Sequence, residues 1–322
     1  MRKRIITFSK LLRETIDGWW EDKAPRFGAA LAYYSVLSLA PLLVLTTPLA
    51  NWLFGAKLAR GELVAQFERL IGHDGAEVVA MLIAAAAQRP APTFATRIAG
   101  GAVVLFAASG VFAQLQDALD TIWEVAPRPG KSVFFAFIRK RFLSFAMVLA
   151  IAFLLLVSLV ISTTFELVQH YVDMRIHGLV YLWMAANAVV SFLVITLLFA
   201  MVYKILPDAT IAWRDVWIGA MITSALFSAG KYLIGLYLGH STFGAYYGAA
   251  GSLVVFLVWV YYSSQILLLG AEFTHAYARL RGQRIRPEPI AVPVTEDARA
   301  QQGIPHKETI ERAVRDNDTR AH

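Results

Sequence analysis

Between Val216 and Ala271 the chain carries a single formal charge, Lys231, over 56 residues. Four other runs carry none: Phe27 to Ala56 for 30 residues, Ile98 to Gln116 for 19, Phe142 to Phe165 for 24 and Ile176 to Tyr203 for 28. A helix needs about 20 apolar residues to cross a hydrocarbon layer about 30 Å thick. The longest run exceeds one span, and Gly239-His240-Ser241-Thr242-Phe243-Gly244 offers a turn in its middle. Spans near 216–238 and 245–271 result. Lipid offers backbone groups no hydrogen-bond partner, and these runs are too long and continuous for barrel strands. The fold class expected is therefore all-α: a polytopic membrane bundle of six transmembrane helices.

Charged residues make up 16% of the chain against about 25% in soluble proteins. The net charge of +7 would point to nucleic acid in a soluble protein. Here the basic residues flank the apolar runs, so the expected partners are membrane lipids and not nucleic acid. Seven Lys and Arg precede the first span, and five (Arg128, Lys131, Arg139, Lys140, Arg141) follow the second. Lys204 and Arg214 follow the fourth, and Arg279, Arg281, Arg284 and Arg286 follow the sixth. The opposite loops hold five over 41 residues, then Arg175 alone, then none. By the positive-inside rule both termini are expected in the cytoplasm (N-in/C-in). No uninterrupted apolar core follows Met-Arg-Lys-Arg before Arg13, so the spans themselves are expected to direct insertion.

Residues 1–26 read as a cytoplasmic amphipathic segment. Ile5, Phe8, Leu12, Ile16 and Trp19 share one helical face, suited either to the membrane interface or to packing on the bundle. Residues 27–273 form the membrane domain, with an external helical cap over 57–97. There Leu63, Val64, Phe67, Leu70 and Ile71 keep helical spacing, and Asp74 with Glu77 gives a capping-box pattern. Short amphipathic helices are thus expected at both faces. Residues 274–322 are polar and contain Pro287, Pro289 and Pro293, so a disordered cytoplasmic tail is expected.

Polar groups inside apolar runs are the candidate pathway or interhelical residues. Lys231 stands nine residues before His240, about 13 Å below the outer end of its helix, where its stem can snorkel. Gln114, Asn187 and Gln265 can bond between helices. Asp117 shares a polar stripe with Gln114, Thr121 and Glu124 where span two runs on past the membrane. Tyr33, Tyr34, Tyr246, Tyr247 and Tyr262 are phenols in need of partners, Tyr262 well inside span six. Pro41 frees a backbone carbonyl in span one. Glu272 closes span six at the inner rim, where Arg26 or Arg139 to Arg141 are its expected partners. Ala220, Ser224 and Ser228 form a small-residue row for close helix packing.

Catalytic, metal-binding and cofactor-binding residues are not expected. Cysteine is absent, and the seven histidines are scattered without HExxH spacing. Gly130-Lys131-Ser132 lacks the upstream glycine of a phosphate loop.

Three stretches together resemble the YihY/BrkB family of bacterial inner-membrane proteins, once labelled ribonuclease BN: Gly28 to Leu43, Leu115 to Val125 and Gly244 to Phe273. Asp120 stands where that motif commonly has asparagine. The resemblance implies six spans and a bacterial cytoplasmic-membrane location, and it implies no activity. Two functions remain open. A transporter or handler of envelope lipid or solute would use the proline-broken first span, the deep tyrosines and Lys231. A structural or assembly factor would use the outer cap, the small-residue seams and the basic inner face, with a homo-oligomer or envelope proteins as partners.

Overall fold

The computed structural model describes residues 8–38, 110–128, 180–239, 249–283 and 285–320, with single helical positions at 64, 76, 80, 81, 84, 142 and 154. Helix α1 covers Phe8–Glu21. Residues 24–38 form α2 and residues 110–122 form α3. There follow β1 (Val125–Pro127), α4 (Val180–Ile205), β2 (Ala209–Thr210), α5 (Trp213–Gly239) and α6 (Ala249–Leu280). The C-terminal segment holds β3 (Arg286–Pro287), β4 (Ala291–Pro293), α7 (Glu296–Gln301) and α8 (Lys307–Arg320).

Three of the described helices are long and apolar enough to cross a membrane, over Ala188–Ile205, Trp213–Ile234 and Leu253–Leu280. They coincide with the fourth, fifth and sixth runs of the sequence. At 32 residues α6 is about 48 Å long, more than the hydrocarbon layer requires, so one turn or more projects beyond it. Runs one and two are described only at 27–38 and 110–116, both helical, and run three only at Phe142 and Leu154, also helical. In the 57–97 segment the described residues Val64, Ala76, Ala80, Met81 and Ala84 are helical. The arrangement of that cap lies outside the described residues.

The chain divides into two compact units. The first comprises Met1–Ala24, Gln116–Ser228 and Leu267–His322. Its centre is Tyr203, fully buried, whose hydroxyl donates to the Leu267 carbonyl at 2.7 Å and stands 3.0 Å from Thr223 Oγ1. Gly270 makes this approach possible, because a side chain there would overlap Thr223 and Tyr203. Thr274 packs on Gly219 in the same way. Ala220 and Ser224 of the small-residue row are fully buried, whereas Ser228 at its end is exposed. Asp215 lies in the first turn of α5, where the helix dipole favours an anion, and Arg281 reaches it at 3.3 Å from the end of α6.

Helix α1 packs through Leu11 against Phe273 and Ala276, next to Ile218, Ile222, Tyr277 and Leu280. The buried line on α1 is Leu11 and Thr15, whereas Phe8, Leu12, Ile16 and Trp20 are exposed. The apolar face read from the sequence is therefore not the face that packs.

The tail differs from expectation. Residues 285–320 carry two strands and two helices where disorder was expected. Strand β4 pairs antiparallel with β1, Val125 opposite Pro293 and Pro127 opposite Ala291. Strand β3 pairs with β2, Ala209 opposite Pro287 and Thr210 opposite Arg286. The prolines stand at the ends of these short ladders, where a missing N–H costs little. Ala291, Arg299 and Ile304 are buried. A polar segment escapes disorder here because its backbone bonds and ion partners come from the turns of the membrane domain.

The second unit comprises Pro25–Leu115 and Ala229–Ile266. In it α2 approaches α6 closely, and any side chain at Gly28 would overlap the amide of Gln265. The Tyr262 hydroxyl lies against Gly230, and the Tyr34 ring against Gly110.

Candidate functional site

Among the described residues, the densest set of buried charges lies in the first unit, at the end of α6, where the C-terminal segment folds over it. Helix α1 ends at Glu21, and the chain turns through Asp22 and Lys23. Helix α3 ends likewise at Trp123 and Glu124. Lys23 (φ 54°) and Glu124 (φ 55°) are the non-glycine residues with positive φ among those described. The left-handed region costs such residues about 1–2 kcal/mol. Both contact the tail: Lys23 Nζ donates to the Gly303 carbonyl, and the Glu124 carbonyl accepts from Val294 N at 2.8 Å.

Helix α7 delivers Arg299 to this place. Its N-cap is Thr295, whose hydroxyl accepts from Ala298 N at 3.3 Å, and Glu296 and Asp297 occupy its first turn. Arg299 Nη2 donates to Asp22 Oδ1 at 2.6 Å. The Glu272 carboxyl is within hydrogen-bonding reach of Asp22. Exposure is 5% for Asp22, 3% for Glu272 and 2% for Arg299, so water screens this group little. Burial pushes the Asp22 carboxyl above the usual range against the pull of Arg299. Gly18 admits Glu272 to α1, since a Cβ there would stand 2.7 Å from Glu272 Oε2.

A second, more solvated layer surrounds the first. His306 Nε2 is 3.3 Å from Glu124 Oε1, and His306 Nδ1 bonds Glu296, which also accepts from Thr309 Oγ1 at 3.0 Å. The bond to Glu124 raises His306 to about 9, and the bond from His306 holds Glu124 down to about 2. The pair is therefore ionised at neutral pH. His275 stands edge-on to the Trp123 ring at 5.4 Å.

Of the residues picked from the sequence, Glu272 alone enters this cluster. Asp22 and Arg299 surround it in the first unit; Arg26 is exposed and belongs to the second unit, and Arg139 to Arg141 lie outside the described residues. Lys231 is exposed, as are Tyr33 and Tyr34, whose rings meet edge-to-face at 5.7 Å. Gln114 and Tyr262 are half-buried, and Asp117 is exposed on α3. The Gln265 amide is buried against Gly28 without a hydrogen bond from a described residue. Asn187 lies on α4 with its side chain outside the description, and Pro41, Tyr246 and Tyr247 lie outside the described residues. Asp120 accepts from Asp208 N at 2.7 Å, a bond that an asparagine carbonyl would also make.

Sequence reasoning missed Asp22, Arg299 and His306, and it read Glu124 only as part of the polar stripe beyond span two. The pattern Thr295-Glu296-Asp297 could have revealed a helix start at α7. Nothing local marks Arg299 as the counter-ion of Asp22, 277 residues away.

Membrane-length apolar helices closed at one end by a buried charge group define an α-helical integral membrane protein. The family described as "Virulence factor BrkB" matches residues 15–294. The chain belongs to this family. It is similar to a UPF0761 membrane protein of Alkalilimnicola ehrlichii, 30% identical over 266 residues, covering 80% of this chain and 56% of the relative. A UPF0761 membrane protein of Azotobacter vinelandii is 26% identical over 296 residues, covering 90% and 68%. One of Ralstonia nicotianae is 28% identical over 265 residues, covering 78% and 55%. The chain thus spans little more than half the length of two of these curated relatives. No solved structure matches.

Proposed function

We propose that this protein is a transporter-like protein of the bacterial inner membrane that handles an envelope lipid or solute, with six transmembrane helices and both termini cytoplasmic. The observation that carries the reading is the buried Asp22–Glu272–Arg299 group at the end of α6. Ionisable groups sequestered at a membrane helix are costly and mark ion or substrate pathways.

The tail contacts support the topology. Asp22, β1, the β2 turn and the tail meet in one unit, which is the arrangement expected if the crossings between them come in pairs. The same segments carry most of the loop Lys and Arg. The exposed apolar face of α1, with Lys10 and Arg13 beside it, suits the inner interface and its anionic lipids. No enzymatic step and no cofactor enters the reading.

The test is a lipid and metabolite mass-spectrometry screen on the purified protein, followed by flux of the captured compounds in proteoliposomes. Lys231→Ala, Tyr262→Phe and Glu272→Gln should alter flux at unchanged membrane abundance. Wild-type flux and wild-type envelope-stress responses in all three would refute transport. One observation favours an assembly factor instead: Ile310 and Val314 stand exposed one turn apart on α8, 49% and 53% accessible. That reading expects Ile310→Ser with Val314→Ser to abolish co-purification of an envelope protein.

A further inference from the structure

Asp22 and Glu272 are both buried against Gly18, whose carbonyl accepts from Asp22 N at 2.8 Å and where a Cβ would stand 2.7 Å from Glu272 Oε2, and two carboxylates brought together have no hydrogen to place between their oxygens. A bond there requires a proton on one of them. Charge gives the same count. With both carboxyls ionised, the group they form with Arg299 carries one net negative charge in a site almost closed to water. One proton makes it neutral, which burial strongly favours. Two atoms are left over: Glu272 Oε1 and Arg299 Nε are buried and make no hydrogen bond among the described residues. The free Glu272 oxygen can take up a proton, while Arg299 keeps its own and remains the cation of the site.

We propose that Asp22 and Glu272 share one proton and form a proton-binding site, closed by Arg299 of the C-terminal segment. Arg299 bonds Asp22 directly and holds it ionised, so binding converts Glu272 to a carboxylic acid whose O–H donates to Asp22; release returns the proton to solvent and leaves both ionised. The surrounding charges are Glu124 from the α3 turn, His275 and Arg279 from α6, His306 before α8 and Lys23 beside Asp22. Glu124 and His306 neutralise each other, and Arg279 is paired with Glu14 at 3.4 Å, which leaves Arg299 as the cation held directly by the pair. Naming the proton as the coupling ion rests on the transport reading, whereas the binding site itself does not.

Infrared difference spectroscopy on the full chain in nanodiscs tests this through the carbonyl stretch of a protonated carboxylic acid. Wild type should show the band near neutral pH. Glu272→Gln and Asp22→Asn should each lose it, because a single remaining carboxylate is neutralised by Arg299. Arg299→Lys should keep it, since the charge remains. A wild type without the band, or a band unchanged in both carboxyl variants, overturns the proposal. If neither carboxyl variant is recovered folded, carbon-13 labelling of glutamate carboxyls in wild type decides. Glu272 is the buried glutamate among the described residues, so a band that shifts with the label supports the site and one that does not overturns it. Flux without the band refutes the proton site alone, and the band without flux refutes transport alone.

Discussion

Replacing Arg299 by methionine keeps most of the side-chain volume and removes the cation from a site where Asp22 and Glu272 remain. Breaking a buried pair by deleting one partner costs about 3–5 kcal/mol, because the surviving charge has neither water nor counter-ion. The side chains of this pair are 3% and 7% exposed, which places it in that regime. At 1.4 kcal/mol per decade, the population with the tail undocked should rise by roughly two to four decades. Hydrogen exchange across 285–306 reads this directly, because Val294 N, Glu288 N and Arg128 N are bonded only while the strands pair. A control fixes the scale: Arg279 is 57% exposed and pairs with Glu14 at 3.4 Å, so Arg279→Met should cost less than about 1 kcal/mol. Adding Asp22→Asn to Arg299→Met should recover part of the protection, since one buried carboxyl fewer is left uncompensated. Unchanged exchange over 285–306 in Arg299→Met would refute the claim that this ion pair holds the tail.

Three further outcomes follow from the same geometry. The His306–Glu124 contact makes docking pH-dependent on both sides. Its His306 contribution is complete below the ordinary imidazole value of 6.5 and fades as pH rises through about 9; its Glu124 contribution is complete above 4.5 and fades as pH falls through about 2. Tail proteolysis measured against pH should speed up toward pH 9 in wild type, and Glu124→Gln should flatten that alkaline rise. Gly18→Ala sets a methyl 2.7 Å from Glu272 Oε2 and should cost about 1–3 kcal/mol in thermal unfolding, relieved by a second change of Glu272→Ala. Tyr203→Phe strips a donor from the Leu267 carbonyl and a partner from Thr223; interhelical bonds in membranes are worth about 0.6–2 kcal/mol, and a loss in that range is expected in detergent unfolding.

The membrane helices were legible in the sequence because their cause is local. A run such as Val216 to Ala271 has nowhere to go but lipid or a protein interior, and the helix is the one structure that satisfies its backbone within itself. Glu272 was legible as a suspect for the same reason, as a lone acid at the end of such a run. Its partners were not. Asp22 sits in a helix-ending turn, and Arg299 in a stretch whose prolines and charges read as disordered; composition averages over neighbours and is blind to what lies opposite in space. An apolar stripe on α1 can be read in the sequence, but only the packing of Leu11 on Phe273 determined which side of that helix is buried. Chain composition decides what must leave water. Which charges then meet in the protected space depends on contacts hundreds of residues apart, and those exist only once the helices have packed.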